Sequence, residues 1–217
     1  MKILQLKLEA DDLLAMQHFY VEILGFRQNH FDKDQLILQA GDSELIFLRA
    51  QTSKPLYHFA FNIPPDQLPQ AAEWLGQRTP LIPVNSETYI VRFKTWNAES
   101  VFFYDPVGNI AEFIARHDIA DRDEDSFSAQ SIISISEIGL VCEDAVEATQ
   151  NIISNYDLGY FRGAAINPDF NPVGNDDGLF LIVKEGRDWY PTNSAARRWP
   201  VRVTIQTPNG THNLGWM

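Results

Sequence analysis

Four side chains sit in places where their chemistry has to be accounted for. In ILQLKLEA (3–10), strand alternation puts Leu4, Leu6 and Leu8 on one face and leaves Gln5 and Lys7 on the other. In YHFAFNIP (57–64), Phe59, Phe61 and Ile63 share a face, and His58, Ala60 and Asn62 take the opposite one. Glu44 shares its strand face with Ile46 and Leu48, and Glu112 shares its own with Ile110 and Ile114. A carboxylate on an otherwise apolar strand face is costly unless it is paired or meets a cation. Two such carboxylates converging with an imidazole would need a positive charge between them. Ordinary readings compete with this one. A lone histidine is commonly satisfied by local hydrogen bonds, Glu44 follows the turn Gly41-Asp42-Ser43 and can be solvated, and Lys7 can neutralise either glutamate.

The elements that must position these residues repeat three times. The first strand, ILQLKLEA, runs into a helix over DDLLAMQHFYVEILG, with Asp11 or Asp12 as its cap and Gly25 at its end. Three extended runs follow, FRQNHF, QLILQA and ELIFLRA. The pattern restarts with YHFAFNIP and a helix over PDQLPQAAEWLGQR, for which Asp66 is the expected cap and Pro69 falls in the first turn. TYIVRF, SVFFYD and NIAEFIAR complete that unit. An acidic, aperiodic linker (118–131) precedes the third restart: EIGLVCED as strand, DAVEATQNIISNYDLG as helix ending at Gly159, then GLFLIVKEG and VRVTIQT. Each unit is therefore strand, helix and about three strands, and a lone unit exposes sheet edges and half a core. Units one and two are expected to pair within the chain, and the third is expected to mediate homodimerisation or to pack back on that pair.

The βαβββ repeat, with FYVEILGF closing the first helix and FYDPVGNIAEF leading the last strand of the second unit, resembles the vicinal oxygen chelate superfamily. Glyoxalase I, extradiol ring-cleaving dioxygenases, fosfomycin-resistance enzymes and bleomycin-binding proteins belong to it. The resemblance implies an α+β fold of paired modules forming a cupped sheet with helices outside. It places a two-module domain at 1–117 (modules 1–50 and 55–117) and a third, partial module at 132–217. It also implies a divalent metal (Zn, Ni, Co, Mn or Fe) held by Gln5, Glu44, His58 and Glu112, with Glu112 or Glu44 as general base and a small oxygen-bearing substrate. On that reading Lys7, Asn62, Phe93, Trp96 and Tyr104 line the pocket. The set resembles the glyoxalase I pattern rather than the two histidines and one carboxylate of the dioxygenases. His18, His30 and His117 occupy no ligand position. In the third unit, Glu137 takes the first-strand position, and Arg202 and Thr204 stand where a carboxylate would be needed. The expected activity is metal-assisted proton transfer of a lyase or isomerase. The alternatives are a metal-free binding protein of the bleomycin-resistance type and a ring-cleaving dioxygenase.

Composition narrows the partners. A formal net charge of −12 over 217 residues repels phosphate backbones and anionic lipid, so neither nucleic acid nor a membrane surface is expected. Lys7 and Glu9 interrupt any apolar run at the amino end, so no signal peptide is read there, and one cysteine, Cys142, suits a cytoplasmic setting without disulfides. The run GRDWYPTNSAARRWP, rich in arginine and aromatic residues, is suited to an anionic substrate or to a partner chain, and the interface reading leads.

Overall fold

The computed structural model describes residues 1–50, 54–119 and 126–217. Unit one comprises β1 (Lys2–Ala10), α1 (Leu13–Gln17), β2 (Arg27–Phe31), β3 (Gln35–Ala40) and β4 (Ser43–Arg49). Asp12 caps α1, its Oδ1 accepting from the Ala15 amide at 3.0 Å, and the helix continues as a π-helical turn over His18–Ile23. Unit two comprises β5 (His58–Ile63), α2 (Leu68–Gly76), β6 (Leu81–Ile82), β7 (Ile90–Phe93), β8 (Ala98–Tyr104) and β9 (Ile110–Arg116). Gln67, not Asp66, occupies the N-cap of α2, because Pro69 falls in its first turn and sets the helix start one residue later. Unit three comprises β10 (Ser134–Cys142), α3 (Ala145–Tyr156), β11 (Phe170–Asn175) and β12 (Gly178–Lys184), followed by the short strands β13 (Asp188–Trp189) and β14 (Ser194–Ala195). Asp157, in the left-handed region, ends α3 two residues before Gly159. A hairpin of β15 (Val201–Thr207) and β16 (Gly210–Trp216) completes the chain. Of the expected acidic linker, residues 120–125 lie outside the described residues.

Strand pairing departs from the expected order. The free edge of β5 pairs antiparallel with β10, and β12 runs parallel to β10, so unit two closes on unit three. Unit one receives the β15–β16 hairpin along β1. VRVTIQT is thus a neighbour of unit one and not the last strand of unit three. The two half-sheets meet where Ile3 faces Ile135, and among the described residues fourteen strands form one continuous sheet. The repeat shows that each unit leaves the edge of its first strand unpaired; it does not show which edge fills it. Unit three thus finds its strand partner within the chain.

Units one and two meet through their apolar backs instead. Phe26 lies 5.4 Å from Phe61 and Phe47 6.4 Å from Phe59, ring centre to ring centre. Tyr20 donates to Asp105 Oδ2 at 3.3 Å in the same buried layer. Asp105 opens the DPVGN turn and also accepts from the amides of Val107 and Asn109 and from Asn109 Nδ2. A bulge in β1 at Leu4 turns Ile3, Leu6, Leu8 and Ala10 into the core, so Leu4 is only half-buried. β10 carries the same bulge at Ser136, with Ile135, Ile138 and Leu140 turned into the core. Cys142 follows them; its thiol is buried and burial pushes it up to about 11. Among the described residues no helix is long and apolar enough to cross a membrane.

The segment 185–199 folds over the cup between units two and three. Gly139 on β10 makes this possible: a Cβ there would lie 2.3 Å from the Trp189 ring. Two outcomes follow. Asp105→Ala leaves four donors, three of them buried, without their acceptor and should cost about 3 kcal/mol, whereas Tyr20→Phe should cost about 1 kcal/mol, both read by urea unfolding. Gly139→Ala should displace Trp189, changing tryptophan fluorescence at a stability cost of about 1–3 kcal/mol.

Candidate functional site

β5, β9 and β10 lie side by side on the floor of the second cup, and each presents one ionisable side chain. His58 comes from the start of β5, Glu112 from the middle of β9 and Glu137 from β10, just past its bulge. All three are buried, and their ligand atoms lie within 4.8 Å of one another. The third member follows the bulge at Ser136: Glu137 shares the cup face with Gly139 and Val141, opposite Ile138 and Leu140.

The imidazole is oriented. His58 Nδ1 lies 3.0 Å from the Ile110 carbonyl oxygen, so it carries the proton and donates it there. Nε2 is thereby left with a free lone pair, 3.5 Å from Glu112 Oε2. Burial is the main force holding the His58 proton affinity down, to about 4; the Ile110 hydrogen bond opposes it and the Arg187 charge adds to it. Burial pushes Glu112 well above the usual carboxylate range, and the Glu137 charge adds to that, against Ser100 and Arg116. Glu137 is likewise raised by burial and held back by Arg116. These directions favour the neutral forms of both Glu112 and His58.

Arg116, from the end of β9, is fully buried and forms an ion pair with Glu137 Oε1; its Nε donates to Ser136 at 3.1 Å. Its Nη1 lies 3.6 Å from Asp176 Oδ1 and is a buried nitrogen without a hydrogen-bond partner. Asp176 also contacts Arg162, 3.1 Å away, which in turn pairs with Asp118. A ladder of alternating charge therefore runs from the cup floor to the surface.

Above the floor is a cavity of about 290 Å³. Phe93, Trp96, Phe102, Phe170, Leu181, Trp189 and Tyr190 line it together with Arg187, and Tyr190 packs 6.0 Å from both Phe93 and Phe102. Trp189 lies 5.2 Å from the His58 ring. The run GRDWYPTNSAARRWP therefore supplies cavity wall through Arg187, Trp189 and Tyr190, while Arg198 pairs with Glu143 and Glu185.

The structure separates the residues singled out from the sequence. His58 and Glu112 are together, with Phe93 and Trp96 above them. Gln5 and Glu44 lie on the other half-sheet and bond each other: Gln5 Nε2 donates to Glu44 Oε2 at 2.8 Å, and Asn29 donates to Glu44 Oε1 at 3.3 Å. Glu44 is thus partnered by amides, and Gln5 and Glu44 do not join the three-residue cluster because unit one pairs with β15, not with β5. Lys7 sits on that same half beside Arg202 and Thr204, away from the cavity. Asn62 is buried on β5, its Nδ2 donating to the Asp176 carbonyl at 3.0 Å, and Tyr104 is 43% exposed; neither lines the cavity. His18, His30 and His117 bond Glu22, Asp32 and Glu99 near the surface. Glu137 was legible in the sequence as a first-strand position, and the partner strand that makes it part of the site was not.

The donor set fits a divalent ion. His58 Nε2 is free and correctly oriented, Glu112 faces it, and Glu137 keeps one oxygen beyond the one Arg116 holds. No family model and no curated protein matches the sequence. Solved structures do match in shape. A V278E variant of glyoxalase I from Zea mays is 14% identical, with 99% of this chain and 92% of that one covered and a TM-score of 0.56. A putative dioxygenase from Bacillus subtilis is 15% identical, with 84% of this chain covered and a TM-score of 0.59; this chain spans 63% of its length. With its cupped sheet of repeated βαβββ units, the chain has the α+β fold of the glyoxalase, bleomycin-resistance and dioxygenase group, the vicinal oxygen chelate fold.

Proposed function

We propose that the chain is a divalent-metal enzyme acting on a small oxygen-bearing molecule in the cup of β5, β9 and β10. The observation that carries this reading is the convergence of three buried donors, one of them an imidazole fixed by its own backbone hydrogen bond with its second nitrogen turned inward. His58, Glu112 and Glu137 would hold the ion, replacing Gln5 and Glu44 of the expected set. Bound there, a divalent ion supplies Lewis-acid stabilisation of charge on a substrate oxygen.

The protein's own groups supply the rest. Glu112 has a raised proton affinity, which suits a group that takes a proton from carbon or oxygen and returns it near neutral pH. Arg116 opposes the effect of burial on the Glu137 carboxyl and fixes its orientation. The aromatic walls exclude water and so strengthen each of these electrostatic contacts. Lyase or isomerase chemistry by proton transfer follows most directly from this arrangement. A ring-cleaving reaction remains the alternative, to be read as oxygen uptake with a catechol and Fe(II).

Arg116 also favours a second reading, a metal-free binding protein. The Arg116–Glu137 pair and the neutral His58–Glu112 pair balance the charge of the cup floor without any ion. Titration with Mn(II) or Zn(II) separates the two. The enzyme reading expects a single ion per chain, lost in His58→Ala and Glu112→Ala and weakened about tenfold or more in Glu137→Ala. Gln5→Ala and Glu44→Ala should bind as wild type does. A wild-type protein that takes up no ion from Mn, Zn, Ni, Co or Fe(II) leaves only the binding reading. Because Glu112 must give up its proton to become a ligand, affinity should rise with pH and uptake should release a proton. Glu112→Gln should bind more weakly and with a flatter pH dependence, measured by proton release into weak buffer.

A further inference from the structure

Arg187 is a half-buried cation on the wall of the same cavity. Its Nη1 donates to the Asp188 carbonyl at 3.2 Å, and its guanidinium lies over the Phe170 ring, 4.7 Å from the ring centre. Among the described residues, no carboxylate reaches it within ion-pair distance. Asp169 and Asp188 act on it only through space, and the Asp169 carboxylate lies 3.7 Å from Lys184 Nζ. Burial accordingly holds its proton affinity below the ordinary arginine value. A cation withdrawn from water without a close counter-ion is unfavourable, and the guanidinium fork matches a planar carboxylate better than any neutral group.

The rest of the cavity describes what carries that carboxylate. Phe93, Trp96, Phe170 and Tyr190 present ring faces and edges, with Phe93 5.7 Å from Trp96 and 6.0 Å from Tyr190. An apolar cavity of roughly 150 Å³ takes a benzene molecule. A cavity of about 290 Å³ therefore has room for one ring with substituents. We propose that Arg187 selects small aromatic acids, with the ring between the aromatic walls, the carboxylate on the guanidinium, and any oxygen substituents turned toward His58, Glu112 and Glu137. Only that last contact rests on the metal-enzyme reading; the carboxylate contact stands without it.

Benzoate and benzamide test the carboxylate contact, because they match in shape and differ in charge. Each is titrated into the full chain as purified, and again after chelator treatment, with tryptophan quenching (Trp96 and Trp189 line the cavity) and calorimetry as readouts. Benzoate should bind saturably and at least about tenfold more tightly than benzamide. Arg187→Met should abolish the preference while leaving the affinity for benzamide unchanged. Arg187→Lys, which keeps the charge but loses the fork, should retain part of it and serves if the methionine variant does not melt cooperatively. Equal affinities, binding of neither compound, or a preference that survives Arg187→Met overturns the proposal. Failure of the metal reading shows separately, as a chain that takes up no ion yet still prefers benzoate.

Discussion

Burying His58, Glu112, Glu137 and Arg116 together under an aromatic roof imposes a charge-balance condition on the whole cup. Two ionised carboxylates and one guanidinium would leave a net negative charge in a medium that solvates it poorly. The protein meets the condition by pairing Arg116 with Glu137 and by burial that favours the neutral forms of Glu112 and His58. Such a floor is poised rather than inert. On the proposed metal-enzyme reading, the same Glu112 would become a ligand or a proton acceptor when positive charge or substrate enters.

That condition explains why Arg116 sits where it does. It follows Glu112 and Ile114 along one face of β9, so the strand delivers both an acid and the cation that tempers its neighbour. Arg116 is in turn anchored by Asp176 from the turn between β11 and β12, and Arg162 and Asp118 complete the ladder outward. The charge of the floor is thus tied to segments of both units that build the cup.

The two half-sheets show what the same repeat does with and without enclosure. β1 and β10 share a bulge, and Gln5 in one corresponds to Glu137 in the other. In the first half-sheet, amide groups satisfy Glu44 in a partly solvated setting, where no cation is needed. In the second, the segment 185–199 covers the cup, Gly139 admits Trp189, and the polar groups lose access to water. Enclosure, not the list of residues, makes one of them a candidate site.

Strand alternation, helix capping and glycine-terminated helices were sufficient to mark three βαβββ-like units and the two faces of most strands. Asp12 and Gly25 act through contacts only a few residues away, and the Phe59–Phe61–Ile63 stripe is marked by alternation alone; both are written in local order. His58 and Glu112 were legible for the same reason, since each is a polar residue on a strand whose pattern shows which face it takes. What tertiary structure alone decided was the pairing of edges. Every unit leaves one edge of its first strand unpaired, and backbone hydrogen bonding is indifferent to which side chains the partner carries. The choice of β10 for β5 and of β15 for β1 moved Gln5 and Glu44 out of the site and brought Glu137, Arg116 and Arg187 into it. Both bulges lay beyond reach as well, because a one-residue irregularity leaves the apolar pattern nearly unchanged while reversing the face of the residues before it.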